Sequence, residues 1–170
     1  MGCPWERHLS NDPEDARFDV VEQDPSNLVP EFMSAASEHL ARALLVSRIV
    51  LRCVEISLAL KPACLVRKTL GADSILRTLH YFTQGLPEGV VLAEPHEDIN
   101  ADTVLWSEDP TGLGLLKDGE WVYPDIMPGA ALFNMGEQLA GVPELAGRIN
   151  MVRHQVVVRP GIANPRIQLA

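Results

Sequence analysis

Beyond Lys68 the apolar residues of this chain never run far before a turn residue stops them, and that pattern limits the fold more than any other feature. Leu76-Arg77-Thr78-Leu79-His80-Tyr81-Phe82 is one short run, and Val90-Val91-Leu92 and Thr103-Val104-Leu105-Trp106 follow. Leu113-Gly114-Leu115-Leu116 and Trp121-Val122-Tyr123 flank Asp118-Gly119. An Asp-Gly pair supplies the positive φ angles of a type I′ turn, so this stretch predicts a β-hairpin. Pro128-Gly129 marks a further turn before Ala131-Leu132-Phe133, and Val156-Val157-Val158 and Arg166-Ile167-Gln168-Leu169 close the series. Many short strands divided by turns predict a β-sandwich or barrel.

The one long helical segment runs from Glu31 to Leu60, with Pro30 at its leading edge and Pro62 just past its end. Ala41 to Leu60 is the most apolar stretch, but Arg42, Arg48, Arg52 and Glu55 recur in it at helical spacing. It therefore reads as an amphipathic helix of a soluble protein and not as a membrane span. The expected fold class is mainly β with one long helix: an N-terminal helix packed on a double-stranded β-helix, or jelly-roll. This domain occupies 31–170. Residues 1–30 hold seven acids against Arg7 and Arg17, and also Pro4, Pro13, Pro25 and Pro30. They read as an acidic, extended lead-in.

Charge narrows the partners. Fourteen Lys and Arg against 23 Asp and Glu give a formal net charge of −9. Such a surface repels phosphate backbones and the anionic cytoplasmic leaflet, so neither nucleic acid nor membrane is expected. Cys3, Cys53 and Cys64 are odd in number and lack CxxC spacing, which suits reduced thiols in a cytoplasmic protein. Glu6 stands where the myristoylation pattern after Met1-Gly2 needs Ser or Thr, and no charged-then-apolar signal-peptide pattern is read here, so neither is expected.

His96-Glu97-Asp98 carries the first chemical signal. On a strand, residues i and i+2 share a face, so an imidazole and a carboxylate can converge on one metal. The motif is weak alone, because five His and 23 acids give roughly 0.7 such pairs by chance. Taken alone, a His and an acid in a solvated turn is the better explanation. His154 adds a second imidazole at the head of the run Val156-Val157-Val158. Two His and one carboxylate form the facial set that leaves positions open for substrate and O2 in non-haem Fe(II) oxygenases.

Several pieces then fall in a specific order: Leu76-Arg77-Thr78-Leu79-His80-Tyr81, Pro95-His96-Glu97-Asp98-Ile99-Asn100, Gly112-Leu113, Asp118-Gly119-Glu120-Trp121-Val122, Pro128-Gly129-Ala130 and Asn134-Met135-Gly136-Glu137-Gln138-Leu139. In order and spacing they resemble the isopenicillin N synthase-like Fe(II)/2-oxoglutarate oxygenases, from about Glu31 to the end. The resemblance implies that His96, Asp98 and His154 hold Fe(II). It implies that Arg166, twelve residues past His154, grips the distal carboxylate of 2-oxoglutarate, and that Tyr81 contacts the same co-substrate. A guanidinium fork suits a buried carboxylate. The expected activity is that of a dioxygenase, an oxidoreductase in which O2 and 2-oxoglutarate oxidise a small organic substrate. Hydroxylation is the default outcome, with desaturation or ring formation as variants.

The chain departs from the family pattern. Gln168 stands where the family has Ser near the co-substrate, and Gln155 where many members have Arg. Against typical members the chain reads as short, without their N-terminal strands and closing tail. Two alternatives therefore stay open: a degenerate jelly-roll module acting through protein–protein contact, and an Fe(II) oxygenase that uses no 2-oxoglutarate. A partly covered barrel would also gain from homo-oligomerisation. Among the remaining residues, His39 is expected to be exposed or to cap the helix, and His80 to point away from the interior if Tyr81 points in. Trp106 and Trp121 are expected to pack, and Asn134 and Gly136 to shape a tight turn.

Overall fold

The computed structural model of the chain describes residues 31–71, 74–83, 85–107, 112–125, 127 and 129–160, and the backbone of 166–169. The expected lead-in over 1–30, with Cys3 and His8, lies outside the described residues, as does Pro128.

The long helix α1 spans Phe32–Ser57. Its end is closed by a paired backbone motif: the Ala59 N–H donates to Ile56 O at 3.1 Å and the Leu60 N–H to Glu55 O at 2.8 Å. Ala59 takes a φ of 52°, the left-handed conformation this closure demands. Pro62 follows and keeps the helix from resuming. Arg42, Arg48 and Arg52 are exposed, as an amphipathic helix requires.

Glu55 corrects the helical-wheel expectation that grouped it with those arginines. Its side chain is fully buried. The carboxylate accepts from Arg52 Nη1 at 2.7 Å and from the backbone N–H groups of Ala63, Leu65 and Val66 at 2.7, 2.8 and 3.1 Å. Satisfying every lone pair is what permits a carboxylate to sit in the interior. The contact ties the end of α1 to the short helix α2 (Val66–Thr69). Burial alone would raise the Glu55 carboxyl, but these donors overcome it and lower its pKa from 4.5 to about 2. A lowered folded-state pKa stabilises the protein fully above the unfolded value and progressively less below it. Glu55 is thus expected to contribute about 3 kcal/mol at neutral pH, lost as pH falls from 4.5 toward 2. Urea melts should show Glu55→Gln destabilised by about that amount at pH 7 and without the wild-type decline over that window.

The rest of the domain is β. The strands are β1 (Thr78–Tyr81), β2 (Val91–His96), β3 (Asp102–Ser107), β4 (Leu113–Lys117), β5 (Glu120–Val122), β6 (Leu132–Met135), β7 (His154–Val157) and β8 (Arg166–Leu169), with α3 (Glu137–Ala140) after β6. They form two four-stranded sheets, in the orders β1-β8-β3-β6 and β2-β7-β4-β5, and every pairing is antiparallel. Strands distant in sequence are neighbours in both sheets, which brings His96 and His154 into register. The β4–β5 hairpin turns at Asp118 and Gly119 with φ of 52° and 84°, the two positive angles expected of Asp-Gly there. Pro95 lies within β2, which is tolerated because β2 is an edge strand and the ladder shifts register beside it.

Helix α1 packs across β3. Ser47 hydrogen-bonds Asp102, whose burial raises the carboxyl pKa more than that bond lowers it. The ring of His39 meets Trp106 edge-on at 4.7 Å. His39 is therefore neither exposed nor a cap. It is half-buried, and its Nε2 is enclosed with no hydrogen-bond partner among the described residues. A cavity of about 320 Å³ opens beside this contact, lined by His39, Ser47, Asp102 and Thr103 among others. The main core cluster joins Leu51, Leu65, Met135, Leu139 and Leu145, so α1, the segment after it, β6 and α3 share one buried seam.

Candidate metal centre

His96 ends β2 and His154 begins β7, facing each other across the ladder with ring centroids 4.3 Å apart. In each ring Nδ1 lies within hydrogen-bond distance of the carbonyl two residues back: 2.7 Å to Glu94 O for His96 and 3.0 Å to Val152 O for His154. A carbonyl only accepts, so Nδ1 carries the proton in both. Nε2 is then the nitrogen of each ring left to ligate a metal.

Asp98 completes the group from a different position than the sequence suggested. β2 stops at His96, so Asp98 is not two places along a strand but in the loop that follows. Its Oδ1 lies 4.0 Å from His96 Nε2 and 3.8 Å from His154 Nε2. Neither distance is a hydrogen bond. The three donor atoms lie within 4.8 Å of one another, and a point equidistant from atoms so spaced is within about 2.5 Å of each. Bonds from imidazole or carboxylate to a divalent metal are about 2.0–2.2 Å, so small inward shifts suffice. Two imidazole Nε2 atoms and a carboxylate oxygen converging on one point form a donor set that suits a divalent metal, and the residues therefore fit one.

The other oxygen of Asp98 is engaged. Oδ2 accepts from Thr103 Oγ1 at 2.7 Å and from Asn134 Nδ2 at 2.7 Å. Burial would raise the Asp98 carboxyl, but those two bonds help to hold it below the usual carboxylate range. Asn134 and Gly136 therefore do not form a tight turn. Asn134 sits on β6 and reaches the carboxylate, while Gly136 lies against the Asp98 loop. Burial is uneven: Asp98 and His154 keep 19% and 15% of their side chains exposed and His96 keeps 50%, which sets the open side of the centre. The cavity beside α1 is lined by none of the three.

The residues expected to hold the co-substrate lie on the other sheet. Tyr81 is half-buried on β1 and pairs in register with Arg166 on β8. Gln168 pairs with Leu79 on one side and Ser107 on the other. The side chains of Arg166 and Gln168 lie outside the described residues. His80 is exposed, its ring against Phe82, while Tyr81 is turned inward. Gln155 is buried, with its Cγ about 3.4 Å from where a Cβ on Gly114 would lie. Cys53 and Cys64 are free thiols. No described helix is long and apolar enough to cross a membrane.

Comparison with known proteins gives a consistent set of relatives, although no family model matches the chain. Flavanone 3-dioxygenase 2 of Oryza sativa subsp. japonica is 35% identical over 95 residues, covering 55% of this chain and 27% of that protein. Gibberellin 20 oxidase 2 of Oryza sativa subsp. indica is 28% identical over 160 residues, covering 91% of this chain and 41% of that protein. The chain thus spans well under half the length of these curated relatives. A solved structure of a 2OG-Fe(II) oxygenase family protein from Caulobacter crescentus superposes with a TM-score of 0.69 at 26% identity, over 93% of this chain and 53% of that one.

Proposed function

We propose that this chain, which belongs to the 2-oxoglutarate/Fe(II) oxygenase superfamily, binds Fe(II) on His96, Asp98 and His154 and catalyses 2-oxoglutarate-dependent oxidation of a small organic substrate. The observation that carries the reading is the convergence of the two Nε2 atoms and Asp98 Oδ1 on one point, with every other polar atom of the three groups already engaged. The donor set alone would also suit zinc; the oxygenase relatives select iron. The two four-stranded sheets are read as the walls of a double-stranded β-helix, with α1 packed on the outside of one wall.

Fe(II) and 2-oxoglutarate supply the oxidation: one oxygen atom of O2 goes to a substrate C–H bond and the other to 2-oxoglutarate, which leaves as succinate and CO2. The protein's own part is geometric. The Nδ1–carbonyl contacts fix the ring orientations of His96 and His154, and the donors on Oδ2 favour Asp98 as an anion. Three protein donors would hold the metal and leave it room for further ligands, and His96 is the most exposed of the three. Arg166 is assigned to the distal carboxylate of 2-oxoglutarate through its planar fork, with Tyr81, its register partner, alongside. Gln168, which stands where the family has Ser, is assigned to the same co-substrate. Hydroxylation is the proposed outcome.

Anaerobic addition of Fe(II) and then 2-oxoglutarate to the full chain tests this. A visible charge-transfer band is expected on the second addition. A flat spectrum from folded, iron-loaded protein overturns the co-substrate assignment and favours an Fe(II) oxygenase that does without it.

A further inference from the structure

We infer that the segment from Asn134 to Gln138 is a positioning clamp that, with Thr103, restricts Asp98 to one-oxygen ligation and so keeps a coordination position free. The inference rests on the metal-site reading above and concerns how the site is held.

Asp98 is gripped at both ends. At the carboxylate, Oδ2 accepts from Thr103 Oγ1 and Asn134 Nδ2, each at 2.7 Å. The Thr103 hydroxyl in turn accepts from Asn100 Nδ2 at 2.9 Å, so its single proton is committed to Asp98. At the backbone, the Asp98 carbonyl accepts from the Glu137 N–H at 2.8 Å. The next two bonds run between the same segments: Gly136 N–H to Ala101 O at 2.9 Å and Gln138 N–H to Asn100 O at 3.2 Å. The clamping segment is itself anchored, since Met135 and Leu139 belong to the buried core. β2, which carries His96, ends before this loop and does not hold it.

The consequence is chemical. A carboxylate oxygen has two in-plane lone pairs, and both on Oδ2 are taken by donors. Two-oxygen ligation would require breaking one of those bonds. Ligation through Oδ1 alone would occupy one position of a bound metal where chelation would occupy two. Thr103 and Asn134 touch neither metal nor co-substrate; they act through Asp98.

Co(II) titration of the full chain, read by its visible absorption, tests the clamp without requiring turnover. Thr103→Val and Asn134→Ala are each expected to weaken Co(II) binding by about 10–100-fold, the usual range for losing a partner of a metal ligand. Both should alter the band intensity that reports coordination number. Thr103→Ser, which keeps the hydroxyl, should restore both readouts, whereas a purely structural role would leave affinity and band shape alike in every folded variant. Thr103→Val exchanges a hydroxyl for a methyl of similar size, so it serves if Asn134→Ala fails to fold. Wild-type protein that takes up no Co(II) overturns the metal site and the clamp together. Wild-type uptake, with folded Thr103→Val matching it in affinity and spectrum, overturns the clamp alone.

Discussion

Replacing Asp98 with Ala is expected to end Fe(II)-dependent release of CO2 from 2-oxoglutarate, with a loss greater than about 100-fold, the upper end of what removing a mere partner of a ligand costs. The same loss is expected of His96→Ala. The reason is the separation of roles at the centre. Among the described residues no further His, Cys, Asp or Glu joins His96, Asp98 and His154 in that group. Asp98→Ala also leaves the Thr103 hydroxyl and the Asn134 amide without their acceptor. Unmade bonds of that kind cost about 1–3 kcal/mol, so circular dichroism must accompany the assay. Full turnover by folded Asp98→Ala protein contradicts the ligand assignment.

The second large effect is expected at Gly136, where conformational freedom is not the issue. Its φ of −91° is open to any residue. Space is the constraint: a Cβ there would lie 2.2 Å from Asn100 O, 2.4 Å from Asn100 Oδ1 and 2.8 Å from Asp98 O. Two of those atoms are backbone, and the loop they belong to carries Asp98, a proposed metal ligand. Gly136→Ala must therefore push the Asp98 loop off α3, break the Gly136, Glu137 and Gln138 N–H bonds, or both. Overpacking of this kind costs about 1–3 kcal/mol or more. Urea unfolding should show that loss, and metal affinity should fall with it. A Gly136→Ala protein with wild-type stability and affinity contradicts the placement of the loop against the segment.

Much of this was legible in the sequence because the signals were local. Asp118-Gly119 demands two positive φ angles and adopts them. The apolar runs after Lys68 each became a strand, and the helix ends within a few residues of its prolines. The two histidines and the acid that the structure brings together could be named because the donors a metal accepts are few in type. What escaped was non-local. Glu55 reads as one more charge on a helix surface, and only the chain ten residues on, turned back to offer Leu65 and Val66 N–H groups, makes it an interior anchor. Asn134 reads as a turn former, because its bond to Asp98 spans 36 positions and leaves no local trace. The i, i+2 argument placed Asp98 on a strand that in fact stops before it, since β2 shifts register on the way to His96. The segment that corrects for this is the Gly136 neighbourhood. Its sequence signal was a glycine at a strand end, which marks a close backbone approach as readily as a turn.

Iron content after anaerobic reconstitution and desalting tests the central claim most directly. The account predicts one tightly held Fe(II) per wild-type chain, and almost none in His96→Ala or His154→Ala protein that remains folded. Wild-type chains that emerge without iron, or variants that retain it in full, would contradict it.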